Sequence, residues 1–392
     1  MVKERALKAG FDLVRITTAE DFLEDREVAL RRINEGLMDG LPWYNPSRVT
    51  RGASPSQLLP NARSIICLAL NYFPGEPSAG EPVRPEDGPP AQVQAHMGKI
   101  ARYAWGRDYH RVMKRKMRDL VADLSALLEL EVSARWYVDD GPMLDRAAAA
   151  RAGLGWFGKN SNILTSELGS WVFLGQVITD LELEPDPPVN KSCGSCVRCI
   201  DACPTGAIVA PYVIDNTRCI SYQTIENRGP VPIELRPYML DWVFGCDICQ
   251  EVCPVNRKEM PTREPAFGQS NLSVADLVEI LEMTDDRFLE RFAGTPIMRA
   301  TRVGLQRNAC VALGNLKAVE SVPSLARVLA KSGPLVRSHA AWALGEIGGL
   351  AATNALKEAA ITETDEDVLS EIRAAMKALE LHSNKKVVGK LT

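Results

Sequence analysis

The sequence contains no long apolar run and no terminal segment of the kind that directs secretion. Its most apolar stretches, SIICLAL (64–70) and WVFLG (171–175), are far shorter than the ~20 residues that span a bilayer. The start, MVKERALKAGFDL, has no apolar segment behind its charges, and Arg31-Arg32 precedes the polar INEGLMDG, so neither a secretory nor a twin-arginine signal is indicated. We therefore predict a cytoplasmic protein with no membrane association, in which thiols stay reduced.

Histidine is scarce, and two common cofactor-binding arrangements are not indicated. The four histidines, at positions 96, 110, 339 and 382, show no paired ligand spacing. No Gly-x-Gly-x-x-Gly follows a strand pattern, so a dinucleotide or flavin Rossmann domain has no support, and no Asp-x-His-x-x-Gly segment indicates a corrinoid held through an axial histidine. Lys+Arg 46 against Asp+Glu 50 gives a net charge of −4, which excludes a uniformly basic nucleic-acid-binding surface.

What is present is a concentration of cysteine: eight of the ten lie between positions 193 and 253. The first motif, Cys193-x2-Cys196-x2-Cys199-x3-Cys203-Pro204, is typical of bacterial ferredoxins, whose first three thiolates ligate one cluster and whose fourth reaches a second. The other motif, Cys246-x2-Cys249-x3-Cys253-Pro254, lacks one ligand, which Cys219 supplies. We predict two [4Fe–4S] clusters, one bound by Cys193, Cys196, Cys199 and Cys253 and the other by Cys203, Cys219, Cys246 and Cys249.

Structural zinc is the alternative, since paired Cys-x-x-Cys motifs also bind zinc. Zinc does not require the ferredoxin run or the exchange of a fourth ligand between two motifs, so the clusters are favoured. Cys67 and Cys310, which lie in apolar strand and helix patterns, are predicted to pack in the core. Because two clusters carry electrons and do not themselves form an active site, another part of the chain must hold the electron acceptor.

Three consecutive domains are predicted. Residues 1–184 alternate helical and extended patterns, as in an α/β domain, with a Pro/Gly-rich surface loop at 75–92. Residues 185–262 form the ferredoxin-like two-cluster module. Residues 263–392 are helical, and the motifs CVALGNL (310–316), AWALGEI (341–347) and MKALEL (376–381) recur there. A period in the thirties without strand signals indicates an all-α domain of HEAT-like helix-pair repeats, whose small residues allow close packing.

The segment VDDGPMLDRAAAARAGLGWFGKNSNILTSELGSWVFLG (138–175) precedes CGSCVRCIDACPTGAI, CDICQEVCPVN and the terminal repeats. In this order of motifs, over nearly its whole length, the chain resembles the epoxyqueuosine reductases. The resemblance implies an oxidoreductase dependent on cobalamin and iron–sulfur clusters, which completes queuosine biosynthesis in the anticodon of tRNA. It further implies that cobalamin binds in the α/β domain without a protein axial ligand. Two electrons would pass from the clusters to cobalamin, and the epoxide oxygen would leave as water.

The resemblance also assigns roles to individual residues. Asp139 corresponds to the family's proton donor, which the chemistry needs because an alkoxide is a poor product at neutral pH unless it is protonated. Asp140 is the alternative donor, but adjacent residues of a strand face opposite ways, so Asp139 is assigned to the site and Asp140 to solvent. Without the resemblance, Asp139 would be interpreted as a turn-capping residue. The positions that resemble cobalamin contacts, together with their loop neighbours, are Arg51, Ala101, Asp139, Lys159, Asn160, Ile163, Leu174, Ser221 and Asp247.

Basic residues cluster despite the acidic total. Seven Lys or Arg residues between 296 and 337 face one acid, and eight between 99 and 118 face one acid. Such patches can neutralise phosphates, and nearby aromatic rings could stack on a splayed-out anticodon base. The alternative is that the basic faces are merely solvated and the rings are core. The residues predicted to bind tRNA are Arg228, Arg299, Arg302, Arg307 and Asn308, and the candidate aromatic residues are Tyr103, Trp105, Tyr109, Trp136 and Trp156.

Two other functions fit parts of the sequence. One is a cytoplasmic corrinoid reductase that acts on a small halogenated or epoxide substrate, and the other is a two-cluster electron carrier that docks through its repeats. The leading hypothesis is reduction of tRNA-borne epoxyqueuosine by a monomeric enzyme, with a flavodoxin or ferredoxin as the electron donor.

Overall fold

The computed structural model describes residues 1–75, 96–257, 260–268 and 272–388. The surface loop predicted at 75–92 lies, apart from Gly75, outside the described residues. The helices are α1 (Val2–Lys8), α2 (Leu23–Asn34), α3 (Pro46–Gly52), α4 (Pro55–Leu58), α5 (Tyr109–Leu128), α6 (Asp145–Arg151), α7 (Arg198–Asp201), α8 (Ile220–Ile225), α9 (Ile248–Glu251), α10 (Leu277–Glu282), α11 (Asp285–Phe292), α12 (Thr301–Leu316), α13 (Val322–Lys331), α14 (Pro334–Ile347), α15 (Gly349–Thr362) and α16 (Glu366–Val388). The strands are β1 (Leu13–Thr18), β2 (Ser64–Asn71), β3 (Met97–Ile100), β4 (Ala134–Tyr137), β5 (Trp156–Phe157), β6 (Ile163–Leu164), β7 (Val172–Thr179), β8 (Ile208–Ala210), β9 (Val213–Ile214), β10 (Trp242–Phe244) and β11 (Val274–Asp276). Within the described ranges, no helix has the length and apolar character needed to cross a membrane.

Contacts group the described residues into two compact units. The first unit contains 1–75, 102–219, 247–257 and 260–268, and the second contains 96–101, 220–246 and 272–388. The contacts therefore do not follow the three consecutive domains predicted as 1–184, 185–262 and 263–392. Strand pairing is the reason, because β10, from inside the predicted cysteine module, pairs with β3, and β11 pairs with β3 on its other side.

A four-stranded sheet forms the centre of the first unit, in the order β1-β2-β7-β4. Helices and strands alternate along the chain as expected for the predicted α/β domain, but all three strand pairs of this sheet are antiparallel. Every residue of β2 is buried, because helices cover both faces of the sheet. Residues of α1 and α5 pack against Ile66 and Leu68, and residues of α6 pack against Ile65 and Cys67. The predicted core position of Cys67 is thereby confirmed.

Two helices of the first unit position polar residues that are described below. Helix α5 is amphipathic, as its spacing predicts, and buries Met113, Met117, Leu120 and Leu124. Helix α6 is rich in alanine, and its small side chains pack in the core cluster that also contains residues of β2 and β7. The short α6 therefore places its first residue, Asp145, close to the centre of the sheet.

The second unit combines the small sheet β10-β3-β11 with helices that include α10 to α16. The first two recurring motifs form the last turns of α12 and α14, and the third lies inside α16. Helix α12 contacts α14, and α14 contacts α16, so the motif-bearing helices pack on one another as expected for helix-pair repeats. Cys310 is fully buried on α12, which confirms its predicted packing role.

Gly314 shows why these repeats need small residues. A methyl group at this position would lie 2.6 Å from Cζ3 of Trp342 and 3.1 Å from Cα of Ala343. We expect Gly314→Ala to lower the free energy of unfolding by about 1–3 kcal/mol, because α14 must move away. The matched control is Gly304→Ala on the same helix, where the nearest atom is 3.6 Å away and a gain of up to about 1 kcal/mol is expected. Thermal denaturation followed by circular dichroism compares them, and equal melting temperatures would contradict the packing argument.

Candidate active site

Asp139 lies on a bend that follows β4. The strand ends at Tyr137, and residues 138–144, named here the Asp139 bend, connect it to α6. The φ of Asp139 is 55°, in the left-handed region that Asp tolerates better than most non-glycine residues. Its side chain is exposed. The candidate proton donor is therefore accessible and is carried by backbone in a sparsely populated conformation.

Asp139 and Asp140 are distinguished by their partners. Both are exposed, since β4 ends before them, so the argument that a strand would turn them to opposite faces is wrong. The Asp140 carboxylate pairs with Lys114 and accepts the Val138 N–H at 3.2 Å. The Asp139 carboxylate accepts the Tyr109 hydroxyl at 3.0 Å. A cation thus neutralises Asp140, whereas a neutral donor holds Asp139.

Tyr109 holds Asp139 from within the core of the first unit. One face of its ring stacks on Phe173, with centroids 4.1 Å apart at 2°, and it also stacks on His110 at 4.1 Å and 28°. Burial, followed by the charge of Asp139, raises the pKa of Tyr109 well above its usual range, so the phenol stays a donor at neutral pH. The sequence prediction that Tyr109 stacks on a base is therefore wrong, because its faces are already covered. Its role at Asp139 had no signal in the sequence.

Helix α3 supports the Asp139 bend at its Gly-Pro step. A Cβ on Gly52 would lie 1.7 Å from the carbonyl oxygen of Pro142, so the helix and the bend approach as closely as only glycine permits. Arg48, one turn earlier, donates through Nη2 to the carbonyl of Gly141. Arg51, predicted as a cofactor contact, is exposed on the same helix. Arg48 and Gly52 are supporting residues that sequence reasoning missed.

The loop that carries Lys159 and Asn160 contacts both cysteine motifs within the first unit. Lys159 Nζ donates to the carbonyl of Gly194 at 2.7 Å, inside the first motif. Asn160, which is buried, donates through Nδ2 to the carbonyl of Cys249 at 3.2 Å. These two predicted site residues therefore connect the cysteine segments to the segment that precedes β6.

Asp247 is buried between two predicted cluster ligands. Its Oδ2 accepts the backbone N–H of Arg102 at 2.7 Å and Nη1 of the same residue at 3.2 Å, and Nη1 also binds Glu251 at 2.6 Å. Burial raises the pKa of Asp247 to about 6, against the opposing effect of Arg102. The side chain that the sequence singled out is thus engaged by Arg102.

The remaining predicted cofactor contacts are mostly apolar or backbone positions. In the first unit, Ile163 is buried on β6 and Leu174 is half-buried on β7. In the second unit, Ala101 is buried and donates its N–H to the carbonyl of Phe244 at 2.8 Å, and Ser221 is half-buried on α8. Their roles toward a cofactor stay predictions.

The eight cysteines predicted to bind the clusters differ in burial from the other two. All ten are free of disulfides, but these eight are half-buried, whereas Cys67 and Cys310 are buried. Burial raises the pKa of Cys199, and Cys193, Cys253 and Cys196 raise it further. These are the four thiols of the first predicted set. Burial and then Cys219 raise the pKa of Cys249, and Cys199, from the first predicted set, raises it as well.

No three His, Cys, Asp or Glu side chains of the described ranges converge closely enough to bind one metal ion. The two ligand sets therefore stay predictions.

Two residues predicted to contact tRNA are buried in the second unit. Arg307 is 0% exposed and Asn308 is 2% exposed, so neither side chain can reach a phosphate in this structure. The prediction that these two residues contact tRNA directly is therefore wrong. Both instead bind backbone carbonyls, since a buried guanidinium or amide needs its donors satisfied. The carbonyls are those of Gln223, Asn227 and Gly229 for Arg307 and of Thr224 and Val243 for Asn308.

Arg228 lies in the segment that Arg307 holds and is exposed. It donates to the carbonyl of Arg299 at 2.6 Å and to that of Ile225 at 2.9 Å. Arg299 is half-exposed and forms a two-pronged pair with Glu226, both bonds being 2.9 Å long. Arg228 and Arg299 are therefore neighbours on the surface of the second unit.

Five of the seven basic residues between 296 and 337 are paired with acids from other parts of the second unit. Counting charges along the sequence missed these partners, because they come from other segments of the chain. Arg302 and Lys331 also line a groove of about 390 Å³ beside the start of α14. Arg337–Glu363 is largely buried, but the other four pairs are exposed or partly exposed. Exposed ion pairs contribute little to stability, so phosphates can compete for those four cations. The pairs are Arg299–Glu226, Arg302–Asp285, Lys317–Glu346, Arg327–Glu282 and Arg337–Glu363.

The other candidate aromatic residues are also largely covered. Trp105 and Trp156 are buried, and Tyr103 and Trp136 are half-buried. The Arg102 guanidinium lies 5.6 Å from the Trp105 ring, and Lys191 Nζ lies 5.4 Å from the Trp156 ring. These rings serve packing and cation–π contacts in this structure.

Three family models match the chain. A 4Fe-4S double cluster binding domain matches residues 192–256, a model described as epoxyqueuosine reductase QueG, DUF1730 matches 53–140, and HEAT repeats match 296–377. The predicted two-cluster module and the HEAT-like repeats are confirmed by the first and the third.

Similar proteins extend these matches over almost the whole chain. The epoxyqueuosine reductase of Cellulophaga algicola is 41% identical over 313 residues, which cover 79% of this chain and 95% of that protein. A crystal structure of an epoxyqueuosine reductase with an epoxyqueuosine-modified tRNA-Tyr stem loop superposes with a TM-score of 0.87 at 33% identity, covering 97% and 98% of the two chains. The Bacillus subtilis epoxyqueuosine reductase, in a structure with its catalytic aspartate loop swung out of the active site, gives a TM-score of 0.86 at 33% identity, with 96% and 98% coverage.

Proposed function

Because the chain belongs to the epoxyqueuosine reductase family, whose members are oxidoreductases of tRNA modification, we propose that it reduces epoxyqueuosine to queuosine in the tRNA anticodon. This is the last step of queuosine biosynthesis. The observation that carries the proposal is full-length similarity to a relative whose structure contains an epoxyqueuosine-modified tRNA stem loop.

The reaction sets what the chain must supply. Both C–O bonds of the epoxide break, a C=C bond forms, and the oxygen leaves as water, which consumes two electrons and two protons. Two [4Fe–4S] clusters are available for the electrons. The cysteine spacing and the family model support the proposed ligand sets, which are Cys193, Cys196, Cys199 and Cys253 for one cluster and Cys203, Cys219, Cys246 and Cys249 for the other.

Cobalamin is the proposed electron acceptor, and residues of the first unit fit such a ligand. Ile163 and Leu174 offer apolar side chains. Trp156 lies on β5, which pairs with the strand β6 that carries Ile163. The indole N–H of Trp156 is buried and has no hydrogen-bond partner. An unpaired buried donor suits a ligand that carries carboxamide oxygens. When bound, cobalamin would supply a strongly reducing cobalt centre. The residues of the first unit proposed to hold it are Arg51, Asp139, Lys159, Asn160, Ile163, Leu174 and Asp247.

Asp139 is the proposed proton donor. It is exposed, and Tyr109 binds only its Oδ2, so the carboxyl is oriented and yet accessible to a substrate oxygen. The Asp139 bend corresponds in our proposal to the loop that is swung out in the Bacillus subtilis relative. The contacts of Arg48 and Gly52 with the bend support an inward position in this chain.

tRNA is the proposed partner, and the proposed contacts lie on the second unit. Arg228, Arg299 and Arg302 keep this assignment because their charges lie at the surface or in exposed pairs, while Arg307 and Asn308 hold the segment that carries Arg228. A flavodoxin or ferredoxin is the proposed electron donor. We propose a monomer that acts in the cytoplasm, where its tRNA substrate is modified.

The test is reconstitution of the purified chain under anaerobic conditions with iron, sulfide, cobalamin and a chemical reductant. An anticodon stem–loop that carries epoxyqueuosine is the substrate, and the same stem–loop with unmodified guanine is the control. Nucleoside mass spectrometry should show queuosine from the first only, with two electrons consumed for each molecule formed. A chain that holds both clusters and cobalamin and yet forms no queuosine would overturn the proposal.

A further inference from the structure

A second carboxyl group, that of Asp145, lies close to the Asp139 bend and is not used by the proposed reaction. Asp145 as a residue is half-buried, but its Oδ1 is buried and has no hydrogen-bond partner. Backbone N–H groups of Asp139 and of Asp145 itself lie near enough to the carboxyl to lower its pKa, against the larger effect of burial. The group therefore lies beside the backbone of the proposed proton donor while one of its own oxygens lacks a donor.

Gln176 provides the matching observation on β7. It is 0% exposed, and its Nε2 donates to the backbone carbonyl of Asp145 at 3.2 Å. Its Oε1 is buried and, like Asp145 Oδ1, has no partner. Asp145 and the residue that binds its backbone thus present two buried acceptor atoms, Asp145 Oδ1 and Gln176 Oε1, and neither has a donor. If the Gln176 amide were rotated by 180°, its NH2 group would no longer donate to the Asp145 carbonyl. The number of acceptors without a donor would not fall, because the rotation adds no donor.

A proton on Asp145 supplies the missing donor, because a neutral carboxyl has one O–H while an ionised one has none. Leaving buried acceptors without donors is unfavourable, because they lose their hydrogen bonds to water. We propose that Asp145 is a neutral carboxylic acid at neutral pH and that it positions the Asp139 bend through the Asp139 backbone N–H. The proposal rests on the proposed function only in that Asp139 is the proton donor being positioned.

The charged groups around Asp145 agree with a neutral acid. Burial is the largest influence and, with the nearby charge of Asp139, raises the pKa of Asp145 to about 8. Arg146, next on the helix, opposes this, but it is exposed and donates to the Ser161 carbonyl at 3.1 Å. No cation is therefore committed to Asp145.

The strands that pack against α6 add no counter-charge. From β2, the Cys67 thiol is buried, and burial raises its pKa, so it is neutral. On β1, Arg15 donates to the carbonyl of Val14 at 2.8 Å. The short β5 and β6 contain no titratable residue, and β7 presents the uncharged Gln176. An ionised Asp145 would face the Asp139 carboxylate without compensation, and the repulsion would act on the bend itself.

The sign of the pH dependence follows from the raised pKa. Between the ordinary Asp range near pH 4 and about pH 8, the folded chain binds a proton at Asp145 that the unfolded chain has lost. The stability contributed by this group is therefore complete below about pH 4 and is lost as the pH rises toward 8. Above that pH, the group is ionised in both states and the dependence ends.

The test uses Asp145→Asn, which keeps the shape, replaces the O–H with an N–H donor and cannot ionise. The ratio of the unfolding constants of wild type and Asp145→Asn, measured on the cluster-loaded chain without substrate, should rise by up to about ten-fold per pH unit from pH 5 to 8. The matched control, Asp140→Asn, removes an exposed carboxylate paired with Lys114 and should show no such rise. Difference infrared spectroscopy at pH 7 should show a protonated carboxyl band in wild type that Asp145→Asn lacks.

Turnover measurements test independently whether Asp145 positions the Asp139 bend. At pH 7, Asp145→Asn should keep turnover within about three-fold of wild type, and above pH 8 it should retain activity that wild type loses. A pH-independent loss of stability in Asp145→Asn, together with no protonated carboxyl band, would show an ionised Asp145 and overturn the proposal. Because the stability and infrared experiments use no substrate, they separate this outcome from a failure of the proposed reaction.

Discussion

Replacing Asp139 with asparagine should lower the turnover of epoxyqueuosine by about 10²–10⁴-fold, the usual contribution of a positioned general acid. The variant keeps the shape of the side chain and an oxygen that can accept the Tyr109 hydroxyl, but it has no proton to give. Asparagine is preferable to alanine, because the φ of 55° at this position is one that Asn tolerates and Ala does not. Single-turnover assays with a modified anticodon stem–loop, read by nucleoside mass spectrometry, measure the loss.

The matched control for this variant is Asp140→Asn. Asp140 is the adjacent residue on the same bend, and its carboxylate is paired with Lys114, so we expect turnover within a few-fold of wild type. Iron content and the cobalamin absorbance should be unchanged in both variants, which separates loss of the proton donor from loss of the cofactors. Wild-type turnover in Asp139→Asn, or an equal loss in Asp140→Asn, would remove Asp139 from the acid role.

Replacing Arg307 with methionine should lower the free energy of unfolding by about 3 kcal/mol or more. The guanidinium donates to the carbonyls of Gln223, Asn227 and Gly229, and each buried acceptor left without a donor costs about 1–3 kcal/mol. Burial itself lowers the pKa of Arg307 to about 10, so relief of this desolvation offsets a part of the loss. Urea denaturation followed by circular dichroism is the measurement.

Arg327→Met is the matched control for the buried arginine. Arg327 forms an exposed pair with Glu282, and such pairs contribute about 0–1 kcal/mol. Arg307→Met should also weaken binding of the anticodon stem–loop, because the segment that it holds carries Arg228, whereas a direct phosphate contact would weaken binding without a change in stability. A stable Arg307→Met with weakened RNA binding would therefore restore the surface role predicted from sequence.

The spacing of nearby residues in the sequence predicted those parts of the fold and the site that depend on neighbours in the chain. Cysteine spacing predicted the two-cluster module, and the recurring alanine-rich motifs predicted the helical repeats, both of which the family models confirm. The amphipathic pattern of α5 and the apolar run of β2 are likewise local signals. These features require no knowledge of which distant segments meet.

The errors arise where a distant partner decides the role of a residue. Arg299 meets Glu226 from 73 residues away, so a count of local charges overestimated the free positive charge. Tyr109 meets Asp139 across 30 residues, and no periodicity encodes that hydrogen bond. Arginine usually lies at the protein surface. Arg307 is nevertheless buried, because backbone carbonyls of another segment accept hydrogen bonds from its guanidinium. Pairing of β10 with β3 likewise joins segments that are far apart in the chain.

The contacts of Lys159 and Asn160 with the two cysteine motifs have a consequence for regulation by metal supply. Interactions that hold Gly194 and Cys249 against this loop are strengthened by anything that binds and orders the cysteine segments, and thermodynamic linkage makes the effect mutual. Loss of iron would then loosen the loop that precedes β6 as well as interrupt the path of electrons. If the chain catalyses the proposed reaction, loss of iron would therefore reduce queuosine formation in two ways at once.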